Sequence, residues 1–161
     1  MDWLVKPSVY LETTIFGYLA SWPSGDLVVA ANQQITHQWW GRRRQDYQLY
    51  VSDFVLTECG AGDPSAAEDR SKFLAGVPQL DVTEDVETLA DELLRELRLP
   101  PKAAIDASHI AVATIHGMNY LLTWNCAHIA NAALRHRIES VCRLLGYDAP
   151  TICTPQELME D

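Results

Sequence analysis

Four polar residues lie far apart in this chain, yet each stands beside an apolar, β-branched or aromatic stretch. Glu12 follows Ser8-Val9-Tyr10-Leu11, and Glu58 comes one helical turn beyond Gln48-Leu49-Tyr50-Val51-Ser52. Asp106 leads into an apolar run through Ile110-Ala111-Val112-Ala113, and Asn125 follows Tyr120-Leu121-Leu122-Thr123-Trp124. Carboxylates brought together repel one another unless a proton or a cation sits among them. Hard oxygen ligands suit Mg²⁺ or Mn²⁺, which keep several waters and leave room for a phosphate oxygen. The chemistry such a set would serve is metal-assisted phosphodiester hydrolysis. Each residue also has a plain structural use: Asp106 as a helix cap, Glu12 and Glu58 as solvated side chains, Asn125 in a turn. Their common placement is what favours a site.

For these residues to meet, their segments must be parallel strands with carboxyl ends on one edge, where such sheets place their sites. Residues 8–11 form the first expected strand. Pro23-Ser24-Gly25-Asp26 then opens a long helix, with Asp26 as cap and Leu27, Ala31, Ile35 and Trp39 at i+4 spacing on its apolar face. Residues 48–52 read as a strand leading into a short helix through Val55, Leu56 and Glu58. Asp63-Pro64 starts a helix running to about Gly76, and Gln79-Leu80-Asp81-Val82 a third strand. Thr83 caps a helix with Val86, Leu89, Ala90, Leu93, Leu94 and Leu97 on one face and a solvated acidic face opposite, stopped at Pro100-Pro101. Asp106 begins a helix that is apolar nearly all round, hence buried, and closed by Gly117. A buried strand at 120–124, a helical stretch from Asn125 to about Leu145, a strand at Thr151-Ile152-Cys153 and a turn opened by Pro155 complete the chain. Strands alternating with helices at this spacing predict an α/β fold with a parallel sheet covered on both faces.

The 161 residues suit a single domain spanning 1–161, and 48% hydrophobic with 21% charged residues is a globular balance. Net charge is −10, from 22 Asp plus Glu against 12 Lys plus Arg, which argues against coating or packaging nucleic acid. It fits carboxylates neutralised by bound cations, and a partner that brings basic residues. No apolar run reaches the ~20 residues of a membrane span. The start, Met1-Asp2-Trp3-Leu4-Val5-Lys6-Pro7, lacks a secretory pattern, so the chain is expected in the cytoplasm. Cysteines 59, 126, 142 and 153 include no Cys-x-x-Cys, and no second pair completes a zinc site with Cys126 and His128. Buried thiols and a surface imidazole are expected instead.

Four segments carry a family resemblance: Val9-Tyr10-Leu11-Glu12-Thr13-Thr14, Val51-Ser52-Asp53-Phe54-Val55-Leu56-Thr57-Glu58, Asp106-Ala107-Ser108-His109-Ile110-Ala111-Val112-Ala113, and Leu121-Leu122-Thr123-Trp124-Asn125. In this order, and over nearly the whole chain, they resemble PIN-domain ribonucleases, most closely the toxin component of VapBC-type toxin–antitoxin pairs. The resemblance implies a three-layer α/β/α sandwich around a parallel sheet of about five strands. It further implies Mg²⁺- or Mn²⁺-dependent cleavage of RNA, a homodimer, and inhibition by an antitoxin laid across the active-site groove. The family's acids fall on Glu12, Glu58, Asp106 and Asn125. Glu12, Glu58 and Asp106 would hold the metal, and Thr13 (or Thr14) and Thr123 would support them. Two positions depart from the pattern. Glu12 replaces the usual Asp and carries its carboxylate further out, and Asn125 replaces an acid with a neutral carbonyl oxygen, which weakens cation binding.

Two other readings compete: a non-catalytic PIN-like module that binds RNA or a protein, and a phosphatase or nucleotide-binding domain. The latter lacks a Gly-rich loop after the first strand, where Glu12-Thr13-Thr14 stands instead. Trp40 with Arg42, Arg43 and Arg44 offers an aromatic and basic patch for RNA or antitoxin, unless the adjoining Trp39-Trp40 pair anchors in the core and the arginines only end a helix. His109 and His116, seven apart, are expected as hydrogen-bonded structural imidazoles.

Overall fold

The computed structural model describes residues 5–159; residues 1–4, on which part of the secretory-signal expectation rests, lie outside the described residues. Five strands pair in parallel in the order β3-β2-β1-β4-β5: β1 Ser8–Leu11, β2 Gln48–Ser52, β3 Gln79–Leu80, β4 Tyr120–Leu122 and β5 Thr151–Cys153. The central register sets Tyr10 between Tyr50 of β2 and Leu121 of β4. From β1 the chain steps outward through β2 to β3, then crosses back to β4 and β5. Right-handed crossovers put the helices of these two excursions on opposite faces. The first face carries α1 Thr13–Ala20, α2 Leu27–Arg42, α3 Asp53–Cys59 and α4 Pro64–Leu74; the second carries α5 Glu84–Glu96, α6 Ala104–Ile115 and α7 Ala132–Leu144. The strand order reverses at β1, so the crevice between the carboxyl ends of β1 and β4 is the switch point where α/β sheets place their sites.

One hydrophobic cluster runs through all five strands and both helical layers, with Tyr10, Phe16, Trp39, Leu93, Ile110 and Leu121 fully or almost fully buried. The helix α6 is buried over Ala107 and 109–114, as its all-round apolar pattern requires. Among the described residues no helix is long and apolar enough to cross a membrane.

Several elements differ from the sequence expectations. Helix α1 was not foreseen, because Thr13-Thr14-Ile15-Phe16 is a β-branched and aromatic run, a composition that favours a strand. It forms because Glu12 caps it and Ile15, Phe16 and Leu19 bury one side. In α2, Asp26 caps as expected, accepting from the Val28 and Val29 N–H groups. The buried face, however, is Gln33, Thr36 and Trp39, while Leu27 stands 87% exposed. Polar partners explain this. The Gln33 amide reaches Trp22 O and receives Ser24 N–H, and Thr36 accepts the indole N–H of Trp124 at 2.7 Å. Asp106 lies within the first turn of α6 and caps nothing; Ala103 is the cap residue. Strand β4 stops at Leu122, and α7 begins only at Ala132. Helix α5 ends with Arg98 at φ 54° while Leu99 N–H returns to Leu94 O at 3.2 Å, a left-handed cap usually filled by glycine. Of the thiols, Cys59, Cys142 and Cys153 are buried as expected; burial pushes Cys59 up to about 11 and Cys153 up to about 12. Cys126 is exposed.

Candidate active site

Glu12 follows β1, and its N–H donates to Leu122 O at 3.1 Å, extending the sheet ladder by one residue. That link fixes its side chain between α1 and the end of β4, only 3% exposed. A carboxylate so buried needs donors. Three reach Oε1: the Thr14 N–H at 3.2 Å, the Thr14 hydroxyl at 2.6 Å and the Thr123 hydroxyl at 2.6 Å.

Glu58 comes from the last turn of α3. Its Oε1 accepts from the Thr13 hydroxyl at 2.5 Å and from His109 Nε2 at 2.6 Å. His109 is wholly buried on α6, with Nδ1 2.7 Å from the Tyr10 hydroxyl, itself 2.8 Å from Ser52 Oγ. An ionised carboxylate only accepts, so Nε2 carries a proton towards Glu58. Burial pushes the Tyr10 hydroxyl well up, so it keeps its own proton. With the ring neutral, Ser52 donates to Tyr10, Tyr10 to His109 and His109 to Glu58, a chain directed at the carboxylate. For Glu58, burial pushes the pKa up, but the hydrogen bonds from His109 and Thr13 outweigh it and hold the group below its ordinary value.

Ligand atoms of Glu12, Glu58 and His109 all lie within 4.8 Å of one another, a grouping that could hold a metal ion. Because Nε2 is committed to Glu58, the carboxylate oxygens are the ligands that remain, and His109 orients Glu58 from behind. Two hard carboxylates fit Mg²⁺ or Mn²⁺, which bind through one or two such groups together with water and phosphate.

Asp106 and Asn125 form a second pair. Asn125 Nδ2 donates to Asp106 Oδ1 at 3.0 Å, and His128 Nδ1 lies 2.9 Å from Asp106 Oδ2. The Asn125 side-chain carbonyl also accepts His128 N–H at 3.1 Å. Asp106 falls outside the three-residue grouping found among the described residues. Thr123 joins the pairs, donating to Glu12 and accepting Asn125 N–H at 2.9 Å. The structure therefore brings Glu12 directly to Glu58, and Asp106 directly to Asn125. Among the described residues, Thr123 is hydrogen-bonded to both halves, through the Glu12 carboxylate and the Asn125 N–H.

Two histidines belong to this constellation and were not read as part of a site. His109 is the hydrogen-bonded structural imidazole expected, yet its partner is Glu58. Its position three residues after Asp106 on one helix was the available signal. His128, expected on the surface, is instead tied to Asp106, and only its place in the turn after Asn125 hinted at that. His116 bonds to Asp81 O at 2.7 Å, a structural contact. Trp40 and Arg42–Arg44 lie by the amino end of β2, the opposite end of that strand from α3 and Glu58. There Arg44 sits over Trp40 at 4.7 Å, and Arg43 pairs with Asp46 at 3.4 Å.

No family model matches the sequence, and no curated protein matches it. Solved structures do. VapC20 of Mycobacterium tuberculosis, a toxin that cleaves the sarcin–ricin loop, matches with a TM-score of 0.56 at 20% identity, over 75% of this chain and 92% of that one. The chain has the PIN fold of VapC toxins. The VapBC2 complex of Rickettsia felis, bound to a DNA fragment from its promoter, matches with a TM-score of 0.54 at 13% identity, over 91% of this chain and 97% of that one. The α/β sandwich implied by the sequence resemblance is thus the architecture found.

Proposed function

We propose that this chain, acting as one PIN-like domain, is a divalent-cation-dependent endoribonuclease and the toxin of a toxin–antitoxin pair. The observation that carries the reading is the convergence of Glu12 and Glu58 at the switch point of the sheet. Each carboxylate is anchored through Oε1 alone, and among the described residues no donor reaches its other oxygen. The similarity in fold to VapC toxins supports the same reading. Glu12 and Glu58 would hold Mg²⁺ or Mn²⁺, and Asp106 adds a third negative charge across Thr123. When bound, the cation supplies Lewis acidity and offsets charge on the phosphate. Thr13, Thr14 and Thr123 fix the two carboxylates, the Ser52–Tyr10–His109 chain holds Glu58 in its ionised form, and Asn125 keeps Asp106 in place. Water attacks phosphorus in line, the P–O3′ bond breaks and the departing 3′-oxygen takes up a proton from solvent, leaving a 3′-hydroxyl on one product and a 5′-phosphate on the other. The remaining parts of the proposal are an antitoxin carrying the basic residues that a −10 chain lacks, a homodimer, and action in the cytoplasm.

The experiment is cleavage of labelled RNA by purified protein in Mg²⁺ or Mn²⁺. Glu58→Gln and Asp106→Asn are each expected to lower the rate by about 10- to 100-fold or more. Undiminished cleavage by either variant would remove its residue from the site. A second reading, a non-catalytic module that binds RNA or protein, is favoured by Asn125 standing where an acid is expected and by both Asp106 oxygens being engaged. Calorimetric titration with Mn²⁺ separates the two, since absence of binding supports the module.

A further inference from the structure

Beside the amino-terminal half of β2, between the ends of α2 and α4, a groove of about 630 Å³ opens to solvent. Trp40, Tyr50 and Phe73 supply its aromatic walls, Arg44 and Lys72 its charge. Among the described residues no carboxylate lines it, in a chain with 22 Asp plus Glu against 12 Lys plus Arg. Lys72 has a neighbour in Asp69 at 3.4 Å, but both are exposed and the pair is weak in water. Arg42 and Arg43 do not line the groove. Trp40 is braced edge-on by Phe16 and Phe73, and the Arg44 guanidinium rests 4.7 Å above its ring. That contact restrains Arg44 before any ligand arrives, so little entropy is left to lose on binding. A restrained guanidinium beside a tyrosine ring is a stacking platform for an unpaired base, and Lys72 suits the adjoining phosphate.

We infer that this groove is a subsite for single-stranded RNA, separate from the acidic centre and engaging the same strand. The inference rests on the ribonuclease reading proposed above. Single-stranded RNA is favoured over duplex because only unstacked bases reach aromatic walls. The distance is suitable: Gln48 to Ser52 along β2 spans roughly 13 Å at the usual strand rise, and α3 with Glu58 begins at that far end.

The test uses wild type, Arg44→Gln, Tyr50→Ala and Lys72→Gln with a fluorescent single-stranded RNA of roughly 12 nucleotides, a length within ordinary single-strand site sizes. Binding is read in EDTA, where cleavage is silent, and kcat/KM is then read with Mn²⁺. Arg44→Gln and Tyr50→Ala should each weaken binding about five- to tenfold, with kcat/KM falling by the same factor. Lys72→Gln should lower the log–log salt slope by about 0.7. Arg44 and Lys72 are exposed, so these two variants keep the result readable if Tyr50→Ala melts early. Wild type binding and cleaving RNA while Arg44→Gln and Lys72→Gln stay within twofold of it would overturn the subsite. So would a labelled oligoglutamate peptide that loses affinity with Arg44→Gln when RNA does not, which would assign the groove to an acidic protein partner. Undiminished cleavage by Glu58→Gln would instead count against the proposed acidic centre, and the EDTA binding data would still decide the groove.

Discussion

Tyr10→Phe removes one oxygen from the centre of the molecule and leaves the ring that fills the core. That oxygen bridges Ser52 Oγ at 2.8 Å and His109 Nδ1 at 2.7 Å, and all three residues are wholly buried. Water cannot replace it without opening the core. The variant therefore strands two polar groups, each at about 1–3 kcal/mol for a buried unsatisfied partner. A total near 3 kcal/mol is expected, or a fall in Tm of roughly 6–12 °C for a chain of this size. Ser52→Ala should cost only about 1 kcal/mol, because the Tyr10 hydroxyl keeps His109. The double variant should cost less than the sum, since the second change removes a group the first had already stranded. The loss also frees His109 to turn from Glu58, so Mn²⁺ affinity by calorimetry should drop about tenfold. Urea unfolding of the four proteins measures the cycle. A cost for Tyr10→Phe below about 0.5 kcal/mol, the range of an ordinary surface change, would refute the buried chain from Ser52 to Glu58.

Three further outcomes are expected. Arg98→Gly should raise stability by about 0.5–1 kcal/mol in urea unfolding, because a left-handed φ of 54° strains a side chain and not glycine. Asn125→Asp places a carboxylate where an amide now donates to Asp106 at 3.0 Å; it should cost about 1–3 kcal/mol in EDTA, with Mn²⁺ restoring the thermal midpoint. Glu58 has a folded-state pKa below its unfolded value of about 4.3. Its stabilisation is thus fully present above that value and lost as pH falls through the lower folded one. The stability gap between wild type and Glu58→Gln should accordingly be constant near neutrality and close in acid, as followed by urea unfolding across pH.

Strands β1, β2 and β5 were legible to the residue because they are short apolar runs bounded by polar or proline residues. The register of acids against strand ends followed from them. Helix α1 was not legible: two threonines and an isoleucine favour a strand, and only tertiary burial of Phe16 and Leu19 reverses that preference. The buried face of α2 was misread because Gln33 and Thr36 bury through hydrogen bonds to Trp22, Ser24 and Trp124, partners that hydropathy does not register. Within the site, spacing showed where the carboxylates lie but not which donors reach them. The division into a Glu12–Glu58 half and an Asp106–Asn125 half depends on three threonine hydroxyls and two imidazoles, whose reach depends on the folded backbone.

The central position of β1 has a consequence for how the protein is made. Strand β1 leaves the ribosome well before β4, yet Glu12 needs Thr123, 111 positions later, for one of the hydrogen bonds that hold it. Leu122 must also arrive before the Glu12 N–H finds its acceptor. At ordinary elongation rates of roughly 5–20 residues per second, the nascent chain spends many seconds without an assembled acidic centre. The cell that synthesises it therefore meets a finished site only after the segment carrying Leu122, Thr123 and Asn125 has been made.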